Sequence, residues 1–178
     1  HIGLTTPKEE KHNAYFGVGD VKIETTERSD VVQTPIKSVL SELTIIIENI
    51  PKGTEMSGKA LDCAWCLFPT LKNSDGDYGL PSIEPTEVEL PTLLATESTL
   101  KSEVIRLMPT IQGSPASHIY LRLQLPDKTL QEFDITAPKM NVGGKYELRF
   151  KYEEMQPKMN LEATINGWTN LNNEVETK

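Results

Sequence analysis

The sequence predicts an all-β fold, an antiparallel β-sandwich of seven or eight strands, and three observations predict it. Twelve prolines and eleven glycines are spread through the 178 residues. The runs between them are short and rich in Ile, Val, Leu, Thr and Tyr, the composition of strands between turns. Within several runs the apolar residues recur at every second position, the period of a half-buried strand, and no sustained helical period replaces it elsewhere. Two stacked sheets are the economical way to bury one face of each such strand.

The elements follow in order. Residues 1–14 read as a flexible arm. The opening His1-Ile2-Gly3-Leu4-Thr5-Thr6-Pro7 has neither a starting Met nor the charged-then-apolar layout of a signal peptide, so a leader is expected to have been removed. Residues 35–40 read as a single helical turn, with Thr34 as the cap and Pro35 at the first position. Residues 43–50 read as a buried strand stopped by Pro51-Lys52-Gly53. The next strand would carry Leu61, Cys63, Trp65 and Leu67 on one face.

Residues 69–99 hold Pro81, Pro85, Pro91 and the acidic, glycine-containing stretch from Asn73 to Gly79. They read as a long surface loop with one edge strand, because proline is confined to edges and turns in sheets. Residues 104–108 form a strand before Pro109. Ile119, Leu121, Leu123 and Leu125 alternate up to the turn at Pro126-Asp127-Lys128, and with Phe133 and Ile135 they make a hairpin. The turn Val142-Gly143-Gly144 feeds Tyr146, Leu148, Phe150 and Tyr152, which pair with Met159, Leu161, Ala163 and Ile165 in a second hairpin. Residues 169–178 are a polar tail, and the whole chain, 1–178, reads as one domain.

Composition excludes some functions. Hydrophobic residues at 37% and charged residues at 25% suit a globular chain. A formal net charge of −8 argues against binding nucleic acid, which rests on basic side chains, and against adsorption to anionic lipid. No apolar run approaches the roughly 18 residues of a transmembrane helix.

Few residues carry recognisable chemistry. Cys63-Ala64-Trp65-Cys66 is a CxxC, but it lies in a strand rather than at a helix N-terminus, where a redox thiol is activated. Strand geometry would put Cys63 in the core and Cys66 outside it unless a bulge or bend intervenes. Structural thiols are the favoured reading, with a local disulfide as the alternative. Asn73, Asp75 and Asp77 resemble part of a calcium loop with Glu84 at the twelfth position, yet the glycine is misplaced, and a solvated acidic turn is favoured.

The histidines His1, His12 and His118 stand in no arrangement suggesting a triad, and His118 reads as a surface or edge residue. Ser114 lacks the second glycine of a nucleophile elbow. Glu153 and Glu154, adjacent in sequence, face opposite ways and read as solvated charges. The expectation is therefore no enzyme, no cofactor and no metal. Trp65 is expected in the core by its parity. Trp168 and Tyr78 are the candidate platforms for stacking a ligand such as a glycan.

The ordered motifs Asn49-Ile50-Pro51, Gly58, Leu107-Met108-Pro109-Thr110, Gly143-Gly144-Lys145-Tyr146 and Ile165-Asn166-Gly167-Trp168 resemble those of the fimbrillin-like proteins of Bacteroidetes, the subunits and anchors of type V pili. The resemblance implies a transthyretin-like sandwich in an exported protein of the outer membrane or cell surface, lipid-anchored in its precursor. It implies a structural or adhesion role as pilus subunit, tip or anchor, with other pilus or surface proteins as partners. Assembly would proceed by donor-strand pairing, a form of strand addition. Family members commonly hold two such domains, where this chain reads as one. A carbohydrate-binding module on the same sandwich is the alternative.

Overall fold

A computed structural model describes residues 1–3, 14–19 and 34–155 and the backbone of 169–170. The strands in chain order are β1 (Ile2–Gly3), β2 (Tyr15–Phe16), β3 (Lys37–Ser38), β4 (Ser41–Glu48), β5 (Glu55–Ala64), β6 (Cys66–Lys72) and β7 (Tyr78–Pro81). They continue as β8 (Pro85–Leu94), β9 (Thr99–Lys101), β10 (Ile105–Leu107), β11 (Ala116–Gln124), β12 (Leu130–Pro138), β13 (Lys145–Lys151) and β14 (Thr169–Asn170). A single 3-10 turn, Tyr152–Glu154, follows β13. Seven of the strands, β4, β5, β6, β8, β11, β12 and β13, run to seven residues or more.

The sequence of β4, Ser-Glu-Leu-Thr-Ile-Ile-Ile-Glu, is β-branched and apolar, as a strand buried in a sheet interior requires. Leu43, Ile45 and Ile47 are fully buried. On one edge β4 pairs antiparallel with β10 and β9 in series, and on the other it pairs with β13 over seven residues, from Lys145 opposite Glu42 to Lys151 opposite Glu48. That last pairing is parallel. It is the exception to the antiparallel pattern among the described residues, and the 96 residues between Glu48 and Lys145 supply the crossover that parallel pairing needs. Beyond β13, Thr169 and Asn170 pair antiparallel with Glu147 and Tyr146.

The second large sheet has the order β12-β11-β5-β8. Its inward residues Met56, Ala60, Val88, Leu90, Ile119, Leu121, Leu123, Phe133 and Ile135 share one apolar cluster with Leu43, Ile45, Ile47, Ile105, Leu107, Tyr146 and Leu148 of the first. The expected sandwich is therefore present, with one core between two sheets. Gly58 lets β5 and β11 approach: a Cβ there would sit 2.3 Å from the Tyr120 carbonyl oxygen, so any larger residue forces the strands apart.

Three expectations need correction. Residues 35–40 form no helical turn. Lys37–Ser38 pair with Tyr15–Phe16, Val39 N–H donates to the Ala14 carbonyl at 2.7 Å, and Val39 and Leu40 are buried. Sheet pairing and burial override a capping signal that only one turn of helix could use. Residues 69–99 are mostly strand rather than loop. β6 runs to Lys72, β7 and β8 follow, and Pro85 and Pro91 fit because one begins β8 and the other lies at a bulge, between the Gly58–Leu90 and Met56–Leu93 pairs.

The third correction concerns Leu61, Cys63, Trp65 and Leu67, which do not share a face. A bulge at Leu61–Asp62 opposite Glu87 resets the parity, so Leu61 is half-buried while Cys63 is buried. The chain then bends at Trp65, which is 48% exposed. β5 and β8 pass together into β6 and β7 at this bend, forming a corner between the four-stranded sheet and the small sheet β1-β6-β7. Strands that switch sheets turn at such corners, and a residue on the convex side points to solvent.

Ser82 pins the corner. Its N–H donates to the Cys66 carbonyl at 2.9 Å, and its hydroxyl accepts from Cys66 N–H at 3.3 Å and donates to the Glu84 carbonyl at 3.2 Å.

The expected hairpin β11–β12 is present over nine paired residues with no shift in register. Its turn is closed by Lys128 N–H to the Leu125 carbonyl at 2.9 Å and by Thr129 N–H to Asp127 Oδ1 at 2.9 Å. The hydrogen bonding from Thr129 holds the Asp127 carboxyl below the usual carboxylate range. The expected turn before β13 is also present, with Gly144 N–H donating to the Asn141 carbonyl at 2.9 Å and Gly143 at φ +69°. Tyr146 braces it: its buried hydroxyl accepts from Asn141 N–H at 2.8 Å, and burial pushes the phenol's pKa up.

The partner strand expected at Met159, Leu161, Ala163 and Ile165 lies outside the described residues. So does the span 4–13 of the expected arm, but Ile2–Gly3 at its start pairs with Leu67 and Cys66 of β6. Of the expected tail, Thr169–Asn170 form β14.

One side chain repairs the edge of β4. Between β9 and β10 the register slips by one, from Ile46 opposite Lys101 to Leu43 opposite Ile105. Across the slip, the buried Ser102 accepts from Ile45 N–H with its hydroxyl and donates its own N–H to the Ile45 carbonyl, both at 2.9 Å. Ser102→Ala leaves a buried amide without a partner. It should cost about 1–3 kcal/mol, read as a lower midpoint in urea with an unchanged slope; an unaltered midpoint would contradict this role.

Candidate functional site

The structure does not gather the candidate residues at one place. Cys63 and Cys66 are both buried and neither forms a disulfide; the bend at Trp65 turns Cys66 inward. Asn73, Asp75 and Asp77 lie on the turn joining β6 to β7. There the Asn73 side-chain oxygen accepts from Asp75 N–H at 3.0 Å and from Asp77 N–H at 2.9 Å, while Asp77 faces Lys37 at 3.6 Å. The Asn73 oxygen thus braces the turn's own backbone. Among the described residues, no three His, Cys, Asp or Glu side chains cluster as metal ligands would.

Tyr78 opens β7 and is half-buried against the core, with the Lys72 ammonium 4.6 Å from its ring centre. One face of the ring is thus engaged by a cation. Trp168, like His12, lies outside the described residues. His118 is an exposed residue of β11 whose Nδ1 meets the Asp62 carboxylate, and Ser114 donates to the Ala116 carbonyl at 2.7 Å within its own turn. Glu153 accepts from the Asn49 amide at 2.8 Å, and Glu154 pairs with Lys151 at 3.2 Å. Both are surface contacts.

The sheet edges offer more than the side chains do. A strand end-on to solvent presents a row of backbone donors and acceptors, and proteins normally blunt it with proline, charge or bulges. The β8 edge is blunted in this way: Pro85 and Pro91 remove two N–H groups, two register shifts bend its pairing with β5, and Glu87 and Glu89 are tied to Lys59 at 2.9 and 3.5 Å. The opposite edge, β12, has no proline before Pro138 and no shift against β11. Among the described residues no strand pairs with its outer side. Nine residues at about 3.4 Å each give a straight edge of about 30 Å.

The side chains of β12 alternate. Phe133, Ile135 and Ala137 point into the core, while Leu130, Glu132, Asp134 and Thr136 lie on the outer face. Across β11 the outer-face residues stand opposite Gln124, Arg122, Tyr120 and His118 in that order. Sequence reading found the β11–β12 hairpin but did not single out its edge, because strand order decides which strand is last.

The four-stranded wall of the sandwich thus has one blunted edge, β8, and one straight edge, β12. Over residues 5–174 the chain matches the family of fimbrillin-A associated anchor proteins Mfa1 and Mfa2. It belongs to that family of fimbrillin-associated anchor proteins.

A solved structure from Bacteroides ovatus ATCC 8483, of a protein with a provisional cell-adhesion assignment, is similar at 11% identity and a TM-score of 0.47. The match covers 78% of this chain and 48% of that one, so this chain spans about half the length of that relative. No curated protein matches. Among the described residues no helix is long and apolar enough to cross a membrane.

The corner residue supplies a direct check on the geometry. With half of its surface already in water, Trp65→Ala should cost less than about 1.5 kcal/mol, whereas a core tryptophan costs about 3–5 kcal/mol. Chemical denaturation decides between them, with the fully buried Leu67 truncated to alanine as the costly control.

Proposed function

We propose that this protein is a non-enzymatic component of a surface fimbria, exported and lipid-anchored in its precursor, that joins neighbouring fimbrial proteins by strand addition along the outer edge of β12. The match to the anchor family over residues 5–174 carries the structural and adhesive part of this reading. The straight edge of β12, free of proline up to Ala137, opposite the blunted edge of β8 supports the mode of joining, because strand addition needs a run of unpaired backbone groups in register. A rigid acceptor also saves the ordering cost that a loop would impose. β12 meets this, since its inward residues are already packed in the core.

The test is amide hydrogen exchange of the intact chain alone and after mixing with fimbrial subunits. Exchange at residues 130–138 should slow on complex formation while β8 changes little. A complex that forms with no added protection in β12 would overturn strand addition there, and failure to bind any fimbrial protein would overturn the functional reading itself.

A further inference from the structure

The outer edge of β12, unpaired among the described residues, is also selective. An incoming strand places its side chains directly opposite those of the acceptor, and such cross-strand pairs set the energetics: opposite charges attract, and like charges facing each other destabilise. The outer face of β12 offers, in order, Leu130, Glu132, Asp134 and Thr136. Leu130 is 49% exposed. Glu132 has Arg122 beside it on β11, whereas Asp134 is exposed and faces Tyr120, which carries no charge.

A second copy of the chain is the first occupant to consider, since two such edges could meet about a two-fold axis. Centred on Phe133 in an antiparallel pairing, Glu132 of one copy would face Asp134 of the other, and the reverse pair would repeat the clash. Four carboxylates would then crowd two facing positions in a protein whose net charge is already −8. The edge therefore works against self-pairing without the prolines and bulges that guard β8. It favours a strand with basic residues at the positions opposite Glu132 and Asp134, and an apolar residue beside Leu130.

We propose that the β12 edge accepts a strand from a different protein, one whose alternate residues are Lys or Arg, and rejects the β12 edge of a second copy. This inference rests on the strand-addition reading above and adds the identity of the partner strand.

Two synthetic nine-residue peptides test it against the intact chain. Both alternate Val and Thr, with two Lys in one and two Glu in the other at the outward central positions. Binding is read by fluorescence polarisation, and its place by amide exchange. The basic peptide should bind about tenfold more tightly than the acidic one at low salt and protect residues 130–138. The double variant Glu132→Lys with Asp134→Lys should reverse the preference while the fold, read by circular dichroism, is kept.

Equal binding of both peptides with β12 protected would overturn the charge selection and leave strand addition standing. Binding with no protection of β12, or no binding by either peptide, would overturn both. Concentration-dependent dimers of the unmodified chain with β12 protected would also contradict the proposal.

Discussion

The fold depends on holding one strand inside its sheet. β4 carries Leu43, Ile45 and Ile47 at full burial, and a strand so placed cannot leave its peptide groups to water. Its partners come from distant parts of the chain: β9 and β10 from the middle, and β13 from near the end. None of these alone spans what β4 needs, and Ser102 closes the gap between the first two. The parallel β4–β13 pair then joins the beginning of the sandwich to its end. Such long-range pairing is entropically costly to form, so it persists only because the residues it buries are large and apolar.

Everything that bears on function follows from what this arrangement leaves at the periphery. With β4 and its partners forming one wall of the core, the β12-β11-β5-β8 sheet forms the other, and its inward residues are fixed by packing against β4 and β13. The two outer strands of that sheet are then treated differently by the sequence. β8 carries proline, bulges and paired charges, and it also turns the corner at Trp65 and Ser82 into the small sheet. β12 has no bulge and no proline before its last residue, Pro138, and its outer face carries Glu132 and Asp134 between Leu130 and Thr136.

Period-two alternation made part of this legible in the sequence. The β11–β12 hairpin could be read because Ile119, Leu121, Leu123, Phe133 and Ile135 alternate without interruption, and β4 because its apolar run stops at proline and glycine. The reading failed where the backbone departs from a regular strand. Counting by twos from Leu61 placed Trp65 in the core, and one bulge residue followed by a bend was enough to turn it outward. The same bend brought Cys66 inside.

Proline misled in the other direction, since Pro85 and Pro91 suggested a loop where an edge strand and its bulge accommodate them. The parallel pairing of β4 with β13 leaves no local trace, because register between strands a hundred residues apart is set by packing. For the same reason the candidate platforms read from aromatic residues alone missed the β12 edge, which is a property of strand order.

Native-state hydrogen exchange on the free protein tests the central role of β4 most directly. If the core is built around it, the amides of Leu43, Ile45 and Ile47 should be among the slowest in the chain and should exchange only through global unfolding, with the free energy obtained from denaturant titration. Exchange of these amides through a local opening, at a free energy well below that of β11, would contradict the account.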